Sequence, residues 1–249
     1  MQHPSGTAAV AVVPQQRRRR LGSAGGYAAV VIASSTGGPD ALCEILPHWD
    51  LQVPVLVVQH MPPDFTKSLA ERLDQICPMA VAEARDGEVL QPGRVLIAPG
   101  DLHLRVRGTA QHAEVYLTYG QMVNSLRPAA DVTFRDAASV WGCDLLAMVL
   151  TGMGRDGVEG ARAVSAAGGM VLAQDEPSSA IWGMPGEVVE AGLATAVLPL
   201  SRFAATVPGL CRAVPLPSEP FEAPEPASES ALEIPEQVVR DPMPATPYF

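Results

Sequence analysis

The stretch YAAVVIASSTGG, residues 27–38, decides the fold class. Its first seven residues form an unbroken apolar run, which is typical of a strand buried on both faces of a parallel sheet. Ser and Gly residues then predict a tight turn, and Pro39 suits the first turn of a helix, where its missing N–H is not needed. The pattern indicates a central strand that leads directly into a helix.

The same alternation of apolar runs and helical patterns continues to residue 213. Further buried strands are expected at residues 53–59, 94–98, 145–151, 170–174 and 195–198, and helices at residues 40–46, 65–77, 132–141, 157–167, 185–191 and 201–212. Residues 102–107 and 114–118 resemble an antiparallel hairpin instead. These features predict an α/β fold with one doubly wound, mostly parallel sheet, helices on both faces and a small antiparallel hairpin.

Both ends of the chain differ in composition from this middle part. Residues 1–26 hold four consecutive arginines and no acid, and predict a flexible basic arm that is either solvated or faces an anionic partner. Residues 214–249 hold nine prolines and seven acidic residues, and predict an extended, disordered tail. Its last residues, Tyr248 and Phe249, are either an unused terminus or a docking tag on a tether. A single domain is expected between them, at residues 27–213.

The composition excludes several classes of protein. A net charge of −10 argues against sequence-independent nucleic-acid binding, and no apolar run approaches the roughly 20 residues that a membrane helix needs. The apolar stretch at residues 7–13 precedes the arginines, which is the wrong order for a secretory signal. The four cysteines form no Cys-x-x-Cys pair, as expected for free thiols in a reducing compartment. We expect a cytoplasmic protein without membrane insertion.

Three polar residues follow predicted strands at one edge of the sheet, where folds of this class bind ligands. Ser35 follows the first strand, His60 follows the second, and Asp156 lies in a glycine-rich loop after the strand at 145–151. An imidazole can take the proton that makes a serine nucleophilic, and a carboxylate can hold the tautomer of the imidazole. The backbone amide of Met153 could donate to an oxyanion in the same place.

Each of these residues also has a simpler interpretation. The turn at Ser35 could cradle a phosphate or be a plain tight turn, and His60 could be an ordinary hydrogen-bonded histidine. Asp156 could cap the helix that starts near Gly157. The turn also nearly matches the Gly-x-Ser-x-Gly motif of α/β-hydrolases, but that fold needs a late histidine and the last one here is His112.

Other common kinds of site find no support. No Gly-x-Gly-x-x-Gly motif opens the helix after the first strand, no Gly-x-x-x-x-Gly-Lys-Ser/Thr motif is present, and Lys67 is the only lysine. Metal-ligand motifs such as His-x-x-His are missing, so we expect neither a metal nor another cofactor. A two-carboxylate hydrolase is possible from Asp86, Glu88 and Asp101, but we interpret these residues as acids of surface loops.

The residues at the predicted sheet edge belong to a longer ordered series of motifs. The series is STGG (35–38), QHMP (59–62), FTKSLAERL (65–73), IAPGDLH (97–103), VN (123–124), RP (127–128), DV (131–132), LTGMGRDG (150–157) and GMP (183–185). It resembles the catalytic domain of the CheB family, the chemotaxis receptor methylesterases. Each motif alone is weak, whereas the ordered set covers nearly all of residues 28–206.

The resemblance implies a doubly wound domain with Ser35 as nucleophile, His60 as base and Asp156 as the acid that orients the base. Thr36 and Met153 fall where the family lines its site and its oxyanion pocket. The implied reaction hydrolyses the γ-methyl ester of a chemoreceptor glutamate to glutamate and methanol, and family members also deamidate receptor glutamines. Chemoreceptors are then the expected protein partner, in chemosensory adaptation.

Departures from the family's pattern generate further expectations. Ala33 replaces the first glycine of the nucleophile turn, and would strain the turn if that position needed a positive φ. Leu126 and Ala129 replace two polar residues of the family's stretch Asn-Arg-His-Arg-Pro-Ser. Residues 1–26 are too short for the phosphorylated receiver domain that the family commonly carries. The expected enzyme is either always open or controlled by a partner in trans.

Two other functions stay open at the level of sequence. The chain could be a catalytically silent binding or scaffold module that kept the fold and lost the chemistry. It could also bind phosphates or nucleotides through its glycine-rich loops.

Overall fold

The computed structural model describes residues 26–211, and the predicted arm and tail lie outside these residues. The strands are β1 (Ala29–Ser34), β2 (Val55–Gln59), β3 (Ala80–Glu83), β4 (Arg94–Ile97), β5 (His103–Thr109), β6 (His112–Thr118), β7 (Leu145–Val149), β8 (Met170–Gln174) and β9 (Ala196–Leu198). The α-helices are α1 (Gly38–Ile45), α2 (Phe65–Ile76), α3 (Ala130–Trp141), α4 (Val158–Ala166), α5 (Met184–Glu190) and α6 (Leu200–Leu210).

The main sheet is parallel and has the strand order β3-β4-β2-β1-β7-β8-β9. The chain builds β2, β3 and β4 on one side of β1, then returns to add β7, β8 and β9 on the other side. The strand order therefore reverses beside β1, and ligands of doubly wound sheets bind at such a switch point. The predicted fold class is confirmed.

The strand β1 separates two apolar layers because its successive side chains point to opposite faces of the sheet. Val31 and Ala33 pack in the layer that includes α3, α4, α5 and the hairpin, whereas Val30 and Ile32 pack in the layer with α1, α2 and α6. Every residue of β1 is buried, which explains the long apolar run in the sequence. Helices cover both faces, as predicted.

One strand, β3 at the edge of the sheet, is not predicted from the sequence. This strand has four residues, and only Val81 among them is buried. The two-sided burial that reveals central strands is therefore missing. The other strands and helices agree with the prediction to within two residues at each end. The hairpin is confirmed and longer than expected, since β5 and β6 pair from His103 to Thr109, and the resulting two-stranded sheet packs against α3.

Two general properties of the described residues bear on the sequence predictions. No helix between residues 26 and 211 combines the length and the apolar character needed to cross a bilayer. All four cysteines are free thiols.

Helices α3 and α4 approach each other closely at Gly160. A Cβ at this position would lie 2.6 Å from Phe134 Cβ and 3.1 Å from Asp131 Cα, both well inside ordinary contact. The absence of a side chain therefore lets the first turns of the two helices meet. Both turns border the loop that carries Asp156.

We predict that Gly160→Ala destabilises the domain by about 1–3 kcal/mol, because overpacking outweighs the better helix propensity of alanine. Gly209→Ala is the matched control in α6, since a Cβ at that position meets nothing within 4 Å. The control should be neutral or stabilising by up to ~1 kcal/mol. Urea unfolding measures both variants, and a Gly160→Ala protein as stable as the Gly209→Ala protein would contradict the close approach.

Candidate active site

Three neighbouring strands, β2, β1 and β7, end at the same edge of the sheet. Backbone pairing continues past their ends, because His60 N–H donates to Ser34 O at 3.0 Å and Ser35 N–H donates to Thr151 O at 3.0 Å. Neighbouring strands are about 4.8 Å apart. The ladder itself therefore places Ser35 between His60 and the loop that follows β7.

Ser35 stands in a crowded turn between β1 and α1. Gly152 passes so close that a Cβ there would lie 2.8 Å from Ser35 Cβ. Gly37 has a φ of 79°, a conformation that favours glycine, and it forms the N-cap of α1. Ala33 lies inside β1 without a positive φ, so the strain expected from its departure from the family's pattern does not occur. The side chain of Ser35 is partly exposed.

The imidazole of His60 contacts the carboxylate of Asp156. Its Nε2 lies 2.8 Å from Oδ2, and the two side chains are 7% and 0% exposed. A carboxylate only accepts hydrogen bonds, so Nε2 carries the proton in this contact. The other ring nitrogen, Nδ1, is buried and has no hydrogen-bond partner within residues 26–211. In the neutral ring, Nδ1 is the atom that can accept a proton from a hydroxyl.

The backbones of Ser35 and His60 lie at the ends of the paired strands β1 and β2. No direct hydrogen bond joins the Ser35 hydroxyl and the His60 ring in the part of the chain that the structure describes. Bonds between catalytic groups are often long in free enzymes and shorten when substrate binds. The arrangement thus places a buried ring nitrogen without a hydrogen-bond partner among residues 26–211 at the same sheet edge as the partly exposed Ser35.

Asp156 does not cap the helix that follows it, because the N-cap of α4 is Gly157 and has no side-chain cap. Its Oδ2 accepts the N–H of Ala130 at 2.6 Å, and its Oδ1 accepts the N–H of Asp131 at 3.1 Å. These are the first two N–H groups of α3, which have no partner inside their own helix. The alternative interpretation of Asp156 as a helix cap is right about the hydrogen bonds from backbone N–H groups. It is wrong about the helix, because these groups belong to α3 and not to α4.

Asp131 makes the reciprocal contact from α3 to the start of α4. Its Oδ1 accepts the N–H groups of Gly157 and Gly160 at 3.0 and 2.7 Å. The amide of Asn124 lies between the two carboxylates and donates to Asp131 Oδ2 at 2.9 Å and to Asp156 Oδ1 at 3.4 Å. Each helix N-terminus, which favours negative charge, therefore binds the carboxylate that comes from the start of the other helix.

The two buried carboxyl groups differ in their affinity for a proton. Burial would raise the pKa of Asp156, but the hydrogen bond and charge of His60, together with the N–H groups of Ala130 and Asp131, lower it below the ordinary value. Burial is the largest influence on Asp131, and with the nearby charge of Asp156 it raises the pKa of that carboxyl. Asp156 is therefore the carboxyl that stays ionised beside the imidazole.

Two backbone amides at this edge are available to bind an anion. The N–H groups of Thr36 and Met153 donate to no other group within residues 26–211. Their loops are nevertheless fixed, since Thr151 Oγ1 donates to Thr36 O at 2.9 Å and the carbonyl of Gly152 accepts the N–H of Met184 at 2.8 Å. Free donors on rigid loops are what an oxyanion requires. The side chain of Met153 is 66% exposed.

The other acids considered from the sequence have structural partners. Asp101 pairs with Arg127 at 2.6 Å, and Glu88 pairs with Arg94 at 2.9 Å. Asp86 accepts a backbone N–H of β6. Nowhere between residues 26 and 211 do three His, Cys, Asp or Glu side chains gather in a way that could hold a metal ion.

The two positions that depart from the family's stretch, Leu126 and Ala129, carry apolar side chains in local turns of the backbone. Ala129 is buried and is the N-cap residue of α3, where its side chain offers no hydrogen bond. The acceptor for this helix end comes from Asp156 instead. Leu126 is partly buried and closes a turn by pairing with Val123.

Sequence reasoning assigned no role to three residues that the structure places at this site: Gln59, Asn124 and Asp131. All three lie within the quoted motifs. The available signals were a polar residue at the end of a buried strand and an acid immediately before a predicted helix. Their partners come from distant segments, so spacing alone does not reveal them.

The family assignment follows from comparison with known proteins. Residues 30–207 match a family model described as CheB methylesterase. The chain belongs to the CheB methylesterase family. The crystal structure of the Thermotoga maritima CheB methylesterase catalytic domain is similar, with a TM-score of 0.72 and 44% identity, and the similarity covers 74% of this chain and 98% of that chain. The predicted resemblance is confirmed.

Two named relatives show how much of a CheB-type protein is matched. The protein-glutamate methylesterase/protein-glutamine glutaminase 2 of Caulobacter vibrioides is 46% identical over 182 residues, which are 72% of this chain and 52% of the relative. A protein-glutamate methylesterase/protein-glutamine glutaminase of a Nocardioides species is 53% identical over 166 residues, which are 66% of this chain and 45% of the relative. The chain therefore spans about half the length of these relatives.

We predict that Asp131 takes up a proton at a higher pH than Asp156. Folding lowers the pKa of Asp156, so this group adds stability at neutral pH that is lost as the pH falls through its folded pKa. Folding raises the pKa of Asp131, so its ionisation opposes folding and this penalty disappears on protonation. Titration of the carboxyl ¹³C signals measures the order directly, and protonation of Asp156 before Asp131 would contradict it.

Proposed function

We infer that this chain is a protein-glutamate methylesterase that hydrolyses glutamate γ-methyl esters to glutamate and methanol. The observation that carries the proposal is the buried contact between His60 Nε2 and Asp156 Oδ2, made at the sheet edge where Ser35 also lies. Membership in the CheB methylesterase family and the printed names of its relatives supply the reaction and the substrate class.

The proposed first half-reaction forms an acyl-enzyme. Ser35 Oγ attacks the ester carbonyl while His60 Nδ1 takes its proton, and Asp156 stabilises the imidazolium through Nε2–H. The amides of Thr36 and Met153 donate to the oxygen that becomes negative, and one such donor is typically worth about 10²–10³ in rate. The proton on Nδ1 then passes to the departing oxygen, which leaves as methanol.

The second half-reaction restores the enzyme. Water gives a proton to His60 Nδ1 and attacks the acyl carbon, the bond to Ser35 Oγ breaks, and Oγ regains the proton. The product is a glutamate carboxylic acid, which ionises. The same steps acting on a glutamine side chain release ammonia in place of methanol, so one site serves both reactions named for the relatives.

We extend the proposal to the setting of the reaction. The substrates are glutamates of methyl-accepting chemoreceptors, the reaction takes place in the cytoplasm as part of chemosensory adaptation, and a regulator acting in trans could control it. The acidic net charge and the absence of a Gly-x-x-x-x-Gly-Lys-Ser/Thr motif agree with a protein substrate rather than a nucleic acid or nucleotide.

The direct test is methanol release from a methylated cognate receptor. Ser35→Ala should lower kcat by about 10⁴-fold or more, because the attacking oxygen is lost while the fold is kept. Ser139→Ala is the matched control, since this serine of α3 is exposed and its hydroxyl donates to the carbonyl of Arg135 in its own helix. A Ser35→Ala enzyme with wild-type kcat, or a wild type that releases no methanol from any receptor of its cell, would contradict the proposal.

A serine-directed fluorophosphonate separates this proposal from a catalytically silent binding module. An intact site should be labelled at Ser35 in the wild type and in Ser139→Ala, and the label should be absent from Ser35→Ala. A wild type that stays unlabelled would favour the silent module.

A further inference from the structure

Gln59 is a buried polar residue at the end of an otherwise apolar strand. It follows four aliphatic residues of β2 and is only 1% exposed. Its side-chain amide is fully engaged: Oε1 accepts the hydroxyl of Ser34 at 2.7 Å, and Nε2 donates to Ser35 O at 2.9 Å and to His60 O at 3.1 Å. A single nitrogen thus holds the carbonyls of the proposed nucleophile and the proposed base.

These two carbonyls lie where the regular ladder between β1 and β2 stops. The last backbone bond between the two strands is His60 N–H to Ser34 O. Beyond it the chain turns away on both sides, into α1 after Ser35 and towards α2 after His60. The Gln59 amide adds a cross-link one step past the ladder, at the point where the separation of Ser35 and His60 is set.

The orientation of this amide is determined by its surroundings. Two carbonyl oxygens face Nε2 and can only accept, so they require the NH₂ group. The Ser34 hydroxyl donates to Oε1 on the other side. Reversing the amide would bring oxygen against two carbonyls and leave buried groups unpaired, each at the cost of a lost hydrogen bond.

Gly38 shows that the fold is built around this amide. A Cβ at position 38 would lie only 2.0 Å from Gln59 Oε1, and Gly38 has no positive φ that would otherwise call for glycine. Its N–H also donates to Ser35 O at 2.8 Å. The second glycine of the motif STGG therefore provides the space that the Gln59 side chain occupies.

We propose that Gln59 is a positioning residue that sets the distance between the Ser35 hydroxyl and the His60 ring, with Ser34 holding the Gln59 amide in orientation. Gln59 acts through the backbone of the two residues and touches no reacting atom. This inference rests on the proposed function, because it assigns Ser35 and His60 the roles given there. The catalytic rate is sensitive to such a distance, since a displacement of about 1 Å can lower a rate by about 10²-fold.

The principal test is Gln59→Met, which keeps the length of the side chain and removes both polar atoms. We expect kcat for ester hydrolysis to fall by about 10²-fold with KM within about threefold of wild type, because the Gln59 side chain is buried away from the substrate. The rate of fluorophosphonate labelling at Ser35 should fall by a similar factor. An unchanged kcat and labelling rate would overturn the proposal.

Thr133→Val controls for the general effect of losing a buried hydrogen bond. Thr133 Oγ1 donates to Leu104 O at 2.7 Å, between α3 and β5, and Thr133 is fully buried. Urea unfolding should show lower stability for both variants, whereas kcat and the labelling rate should fall only in Gln59→Met. Equal kinetic losses in the two variants would mean that Gln59 has only a structural role.

Ser34→Ala keeps the proposal testable if Gln59→Met does not fold. This variant removes one hydroxyl and should lower kcat and the labelling rate by about three- to tenfold, because the amide is held less firmly. In the double variant, Ser34→Ala should add almost nothing to Gln59→Met, since Ser34 acts through Gln59. Full activity of Ser34→Ala, or independent effects in the double variant, would overturn the assignment.

Labelling also separates failure of this inference from failure of the proposed function. A wild type that is labelled at Ser35 but releases no methanol refutes the proposed substrate, and the labelling rates of the variants still decide the role of Gln59. A wild type that is not labelled refutes the nucleophile, and with it the role proposed for Gln59.

Discussion

The Asp156 carboxylate ties four separate segments of the chain together. Its two oxygens accept hydrogen bonds from the His60 ring, from two N–H groups at the start of α3 and, at longer range, from the amide of Asn124. A fully buried charge is tolerable only when it is satisfied in this way. One of these partners is the imidazole. The hydrogen bonds that stabilise the buried charge therefore also fix the orientation and the tautomer of the ring.

Most of the site is positioned by backbone rather than by contacts between reactive side chains. The central strands place Ser35 and His60 next to each other in the backbone ladder. The close approach of α3 and α4 at Gly160 brings Asp156 to the N-terminus of α3. Rigid elements hold groups more accurately than free loops do. The glycines at positions 38, 152 and 160 share one property: each leaves room where a Cβ would overlap part of this arrangement.

The sequence was sufficient for the central strands and the helices, because the burial of these elements leaves a local pattern of apolar residues. The rule for ligand sites in doubly wound sheets pointed to the edge where His60 and Asp156 meet, whereas the roles of the five expected site residues stay predictions. The sequence did not predict β3, whose side chains are mostly unburied, nor the hydrogen bonds that Asp156 accepts from the start of α3, because that helix begins 26 residues earlier in the chain. Gln59 is overlooked for a related reason. A glutamine beside a histidine looks like an ordinary polar strand end until the carbonyls that it bridges are known.

The central claim is that Asp156 holds His60 with the proton on Nε2 and leaves Nδ1 as the base. The ¹⁵N chemical shifts of the His60 ring, recorded at a pH where the ring is neutral, report the tautomer directly. The account predicts a protonated Nε2 and a bare Nδ1 in the wild type. A ring that carries its proton on Nδ1 would contradict the assignment of the base and the mechanism built on it.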